Sequence, residues 1–134
     1  MAALVDTNIL VYRFDSRDRS KQRIVQDLLR DGIKHDSLRV PHQAILEFVA
    51  ALSKLWSPAD ARREAEELVN QFPVLYPNEA ILRLALRGAA AYQFSWFDAH
   101  IWAYAEHYAL GELISEDFQH NRMYGSVRVI NPFV

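Results

Sequence analysis

The feature that most constrains this chain is its opening. A short apolar run, Ala2-Ala3-Leu4-Val5, stops at a carboxylate, Asp6, and a helical pattern starts directly behind it at Ile9, Leu10, Tyr12 and Phe14. A brief apolar run closed by a residue of the helix-capping type predicts a buried strand feeding a helix. In open α/β sheets, ligands bind at the carboxyl ends of the strands. Asp6 therefore stands where chemistry is expected.

The remaining pattern repeats that theme. Helices are predicted over Ile9–Phe14, Arg17–Ile33 (with Gly32 near its close), His42–Trp56, Pro58–Gln71, Pro77–Tyr92 and Trp96–Tyr108. Between them lie short strand patterns at Leu38–Val40, Phe72–Tyr76, Glu112–Ser115 and Val127–Ile130, with a polar loop from Glu116 to Ser126. Pro73 puts the third strand at an edge or restricts its start. Every strand-to-strand connection is long enough for a crossover. The fold class is therefore α/β, a parallel sheet of about five short strands with helices on both faces. No linker or repeat divides residues 1–134, so one domain is expected.

Composition narrows the function. With 51% apolar residues, the chain can build a core. It has no cysteine, which excludes disulfides, thiolate metal sites and a cysteine nucleophile and fits a reducing cytoplasm. Asp6 interrupts the first apolar run, so no signal peptide is expected. The longest uncharged stretches, Leu68 to Asn78 and Gly88 to Phe97, are far shorter than the ~18 residues of a membrane span. A formal charge of -2 argues against gripping nucleic acid by bulk charge, though a local basic groove is compatible with it. Arg13, Arg17, Arg19, Lys21 and Arg23 crowd one early segment and read most simply as a solvated helix face.

Four acidic positions stand out. Asp6 has a plain role as a helix N-cap. Glu47 lies between Leu46 and Phe48 in an apolar helix, where a carboxylate needs solvent or a partner. Asp98 shares a helix face with Phe94, Ile101, Trp102 and Ala105, and Ser95 to Asp98 has capping-box spacing. Glu116-Asp117 follows a strand through Ser115, in a loop where acids are commonly solvated. Singly, each has a structural explanation. Together, sheet geometry delivers all four to one rim, since strand ends and crossover-helix starts share the carboxyl edge. Clustered carboxylates repel unless a cation holds them, and an all-oxygen set without Cys or paired His suits Mg²⁺ or Mn²⁺. Trp96 and Phe97, an aromatic pair heading a capped helix, are expected to pack in the core rather than stack on bases.

The sequence resembles a PIN domain, and within that family the VapC-type toxins of toxin-antitoxin pairs. The resemblance is carried by Leu4-Val5-Asp6-Thr7-Asn8, by Glu47, and by Ser95-Trp96-Phe97-Asp98-Ala99. Leu113-Ile114-Ser115-Glu116-Asp117-Phe118 and Val129-Ile130-Asn131-Pro132-Phe133 complete it. It implies a metal-dependent ribonuclease with Asp6, Glu47, Asp98 and Asp117 as the catalytic quartet. It also implies Mg²⁺ or Mn²⁺ on Asp6, Asp98 and Asp117, with Thr7, Asn8, Ser115 and Glu116 in support. Ser115 and Asp117 match the family's hydroxyl-x-acid pattern, which favours Asp117 over Glu116 as the fourth acid. A homodimer and a small antitoxin partner follow from the same resemblance. Arg13, Arg17, Arg19, His120 and Arg122 are the candidate RNA-phosphate contacts.

Two other readings compete. A catalytically inert PIN-like binding module would share the fold, although here all four acidic sites are filled. An aspartyl-phosphate phosphatase or receiver also places an acid after the first strand. The phosphatase pattern needs a second Asp where Asn8 stands, and the receiver needs an acceptor Asp where Tyr76-Pro77-Asn78-Glu79 stands.

Overall fold

A computed structural model describes residues 2–134. The elements run β1 (Ala3–Val5), α1 (Thr7–Tyr12), α2 (Arg19–His35), β2 (Leu38–Pro41), α3 (His42–Leu55), α4 (Pro58–Gln71) and β3 (Val74–Leu75). They continue with α5 (Glu79–Tyr92), α6 (Trp96–His107), β4 (Glu112–Ile114), β5 (Met123–Tyr124) and β6 (Val127–Ile130). The strands form one six-stranded sheet in the order β3-β2-β1-β4-β6-β5. All neighbours are parallel except β5 and β6. The expected parallel α/β sheet is present, with one strand more than expected. β5 lies inside the segment read as a polar loop, where Gly125 at φ 61° turns it back onto β6. Two residues are too few to show a period.

Alternation along β1 sends Ala3 and Val5 into one core and Leu4 into the other. The first core takes α1 to α4 through Ile9, Leu10, Val25, Leu29, Phe48, Leu52 and Leu68. The second takes α5 and α6 through Ile81, Ala85, Ile101, Trp102 and Tyr104. Period-two burial on a sheet covered on both faces is the physical content of the α/β assignment.

The chain builds β1, β2 and β3 outward on one side, then jumps back to place β4 on the other side of β1. That reversal makes a crevice between the carboxyl ends of β1 and β4. Asp6 follows β1, and Ser115 follows β4.

One local expectation is corrected. Gly32 does not close its helix: α2 runs on to His35 and ends at Asp36, in the left-handed region at φ 50°. Gly32 is instead there for space, because a Cβ would stand 2.1 Å from Leu38 Cδ1. Gly88 has the same role on α5, where a Cβ would stand 2.4 Å from Trp102 Cζ3. That indole cannot retreat easily, since its Nε1–H donates to the Tyr124 carbonyl at 2.9 Å. Gly88→Ala gains up to about 1 kcal/mol of helix propensity but overpacks the α5–α6 seam, which typically costs about 1–3 kcal/mol. Net destabilisation is expected, read as a lower urea midpoint with unchanged m-value.

Candidate active site

Asp6 reaches the crevice because β1 ends one residue earlier and α1 begins one residue later. Its Oδ1 accepts from the Thr7 amide at 2.7 Å, so it caps α1. Its Oδ2 accepts from the Ser115 hydroxyl at 2.7 Å, which ties the end of β1 to the end of β4. Asp98 arrives on the first turn of α6, where its amide donates to the Ser95 capping hydroxyl. Asp117 arrives from the loop after β4. Its amide donates to Ser115 Oγ at 3.0 Å, and its Oδ2 accepts from the Asn8 amide group at 3.1 Å.

Carboxylate oxygens of Asp6, Asp98 and Asp117 lie within 4.8 Å of one another. Asp6 is 5% exposed, Asp98 half-buried and Asp117 exposed at its outer side. Among the described residues, no Lys or Arg forms an ion pair with any of the three. Burial pushes the Asp6 carboxyl up to about 7, with the charges of Asp117 and Asp98 adding to it and the bonds from Ser115 and Thr7 working against it. Asp117 is raised as well, by desolvation of its carboxylate first and then by Asp98 and Glu116, against the Asn8 amide. Keeping Asp6 ionised at neutral pH thus costs on the order of a few kcal/mol. An all-oxygen donor set under that strain fits a hard divalent cation.

Glu47 stands just outside the trio. Its Oε1 accepts from Thr7 Oγ1 at 3.3 Å and from Gln43 Nε2 at 3.0 Å. Thr7 therefore links Glu47 to Asp6, its backbone serving one acid and its hydroxyl the other. Gln43 also donates to the Phe97 carbonyl at 3.2 Å, joining α3 to the start of α6. Gln43 and Glu47 are one helical turn apart, a spacing that could have pointed to Gln43 from the sequence.

Glu116 turns away from the trio. Its carboxylate accepts from the Tyr12 hydroxyl and from Lys21 Nζ, the latter at 2.8 Å. Of the basic candidates, Arg13 is half-buried and donates to Gln71, and Arg17 makes a two-pronged contact with Asp15. Arg19 is exposed at the start of α2. His120 accepts from the Asn131 amide, and Arg122 lies over the Tyr124 ring. None of the five belongs to the acidic group. Trp96 and Phe97 do not pack in the core as expected: they are 42% and 65% exposed. Over the first two turns of α6 the inward positions go to Ala99, Ile101 and Trp102, which leaves the aromatic pair outside, next to Asp98 in the chain.

A doubly wound α/β domain with acids gathered at its switch point defines a class of carboxyl-edge site. The chain belongs to the PIN domain family, whose model matches residues 3–126. Solved structures share the fold across nearly the whole chain. A toxin-antitoxin complex from Klebsiella pneumoniae is 21% identical, with a TM-score of 0.72 over 98% of this chain and 98% of that one. VapBC2 from Rickettsia felis, bound to a DNA fragment from their promoter, is 12% identical, with a TM-score of 0.75 over 96% and 97%. VapC20 from Mycobacterium tuberculosis, a sarcin-ricin loop cleaving toxin, is 13% identical, with a TM-score of 0.64 over 87% and 90%. A comparison with curated proteins gives no match. Among the described residues, no helix is long and apolar enough to cross a membrane.

The raised Asp6 carboxyl has a signed consequence. Between about pH 4 and about pH 7 the native state holds a proton that the unfolded state has lost. The contribution of this site to stability therefore falls as pH rises through that window and is flat above it. A cation that relieves the repulsion should raise Tm by roughly 8–12 °C at pH 8 when present at about a hundred times its Kd. The increment should shrink towards pH 5. Differential scanning calorimetry with and without Mn²⁺, on wild type and Asp6→Asn, checks both trends.

Proposed function

We propose that this chain is a metal-dependent endoribonuclease of the VapC toxin type. The observation that carries the reading is the convergence of Asp6, Asp98 and Asp117 within 4.8 Å at the switch-point crevice, with Asp6 buried. In this reading the three hold Mg²⁺ or Mn²⁺. When bound, the ion supplies charge neutralisation on the phosphate and lowers the pKa of attacking water.

The chain's own residues prepare that site. Ser115 and Thr7 aim Asp6 through bonds to its two oxygens. Asn8 steadies Asp117. Glu47, held on one oxygen by Thr7 and Gln43, keeps its other oxygen for orienting the water. Hydrolysis on this plan leaves 5'-phosphate and 3'-hydroxyl ends. Trp96 and Phe97 offer exposed ring faces beside Asp98, and base stacking on such faces tolerates any sequence. At a net charge of -2, binding to RNA rests on such local contacts more than on bulk attraction.

The relative described as a sarcin-ricin loop cleaving toxin supports RNA as substrate. The toxin-antitoxin relatives support a small antitoxin partner. Exposed Leu82 and Leu86, one turn apart on α5, support a homodimer. We place the protein in the cytoplasm, where its RNA substrate and its cysteine-free composition both fit.

Purified protein freed of any partner should cleave RNA with Mg²⁺ or Mn²⁺ and stop with chelator. Asp98→Asn should lower the rate by about 10²–10³ while far-UV circular dichroism stays native. Wild-type protein that binds Mn²⁺ but cuts no RNA would favour the inert binding module. Phe97→Ala should raise KM about tenfold with kcat little changed, measured on a short single-stranded RNA.

A further inference from the structure

Glu116 sits between two residues of the acidic pocket in the chain, yet its side chain belongs to a different structure. Tyr12 donates its hydroxyl to Glu116 Oε1, and Lys21 Nζ donates to Oε2 at 2.8 Å. Lys21 Nζ also donates to the Tyr12 oxygen at 3.3 Å, and it lies 5.0 Å and 4.9 Å from the ring centres of Tyr12 and Phe133. Those two rings meet edge to face at 5.3 Å. The assembly gathers α1, α2, the loop after β4 and the chain's C-terminal turn around one carboxylate.

On the other side of the same loop, Ser115 holds Asp6 and the Asp117 amide, and Asn8 holds Asp117. Residues 115–117 have no regular backbone pairing beyond the Ser115 amide on the Ile130 carbonyl. Side-chain bonds therefore set where the loop sits. A released Glu116 would be a further anionic side chain next to acids that already repel one another. The Lys21–Glu116 pair is about a quarter exposed, with side chains at 32% and 19%. Pairs so exposed add little to global stability. Partners that orient metal-ligating carboxylates behave differently, and losing one typically costs about 10–100-fold in metal affinity.

We propose that Lys21 and Tyr12 are positioning residues for a divalent-cation site on Asp6, Asp98 and Asp117. By clamping Glu116 outward they set the Ser115–Asp117 loop, present Asp117 to the ion, and keep Glu116 from competing for it. This rests on the metal-dependent reading of the pocket.

Calorimetric titration of Mn²⁺ into the full chain tests it without any activity assay. Wild type should bind. Lys21→Met, which keeps the aliphatic stem against the rings, should bind about tenfold or more weakly, with the Tm of the metal-free protein close to wild type. Lys21→Arg should recover most of the loss. Tyr12→Phe removes only a hydroxyl and should weaken binding in the same direction, which covers the case in which Lys21→Met folds poorly. In an Asp117→Asn background, Lys21→Met should cost nothing further, because its effect runs through Asp117. Binding by Lys21→Met that equals or exceeds wild type overturns the clamp, as does an equal loss in the Asp117→Asn background. Wild type that binds no Mn²⁺ overturns the metal reading on which the clamp stands.

Discussion

One buried carboxylate governs this molecule. Asp6 is 5% exposed, at the end of a three-residue strand in the middle of the sheet. Ionised and unpaired, it would be among the most costly groups the fold could bury. The protein answers with one oxygen on the α1 amide and the other on the Ser115 hydroxyl. It then brings two more acids within 4.8 Å instead of an arginine or lysine. A fold selected for stability alone would put a cation there. The arrangement makes sense as a receptor for a cation from solution.

The topology explains how acids from distant parts of the chain meet. β1 is flanked by β2 and β4, so the crevice opens where the winding direction reverses. Strand ends supply Asp6 and, through the loop after Ser115, Asp117. The start of α6 supplies Asp98, and the start of α3 supplies Gln43 and Glu47. Thr7 and Ser115 each serve two partners, so the elements cannot shift independently without breaking a bond at the pocket. Helix packing on both faces fixes those elements, and chemistry is left to the rim.

Much of this was legible in the sequence because it depends on period and position. Short apolar runs alternating with long amphipathic segments gave the parallel α/β sheet. The rule that strand ends and helix starts share an edge gathered Asp6, Asp98 and Asp117. For Asp6 and Asp98, capping and clustering looked like competing explanations, yet both hold. Asp6 caps with one oxygen and keeps the other for Ser115, and Asp98 spends only its amide on Ser95. What the sequence could not show depends on distant partners. Glu116 and Asp117 are adjacent acids with the same local signal, and Lys21, 95 residues away from Glu116, separates them. Gly32 looked like a helix terminator, whereas its real constraint is the Leu38 side chain packed above it. Trp96 and Phe97 looked like core until the rotation of α6 put Ala99 and Ile101 inward.

The central claim is that these carboxylates form a receptor for a hard divalent ion. Crystals of the protein grown or soaked in millimolar Mn²⁺, with data collected for the anomalous signal of manganese, test it most directly. The expected result is an anomalous peak bounded by the carboxylates of Asp6, Asp98 and Asp117. Manganese found only elsewhere on the surface, with those three side chains unliganded, would contradict it.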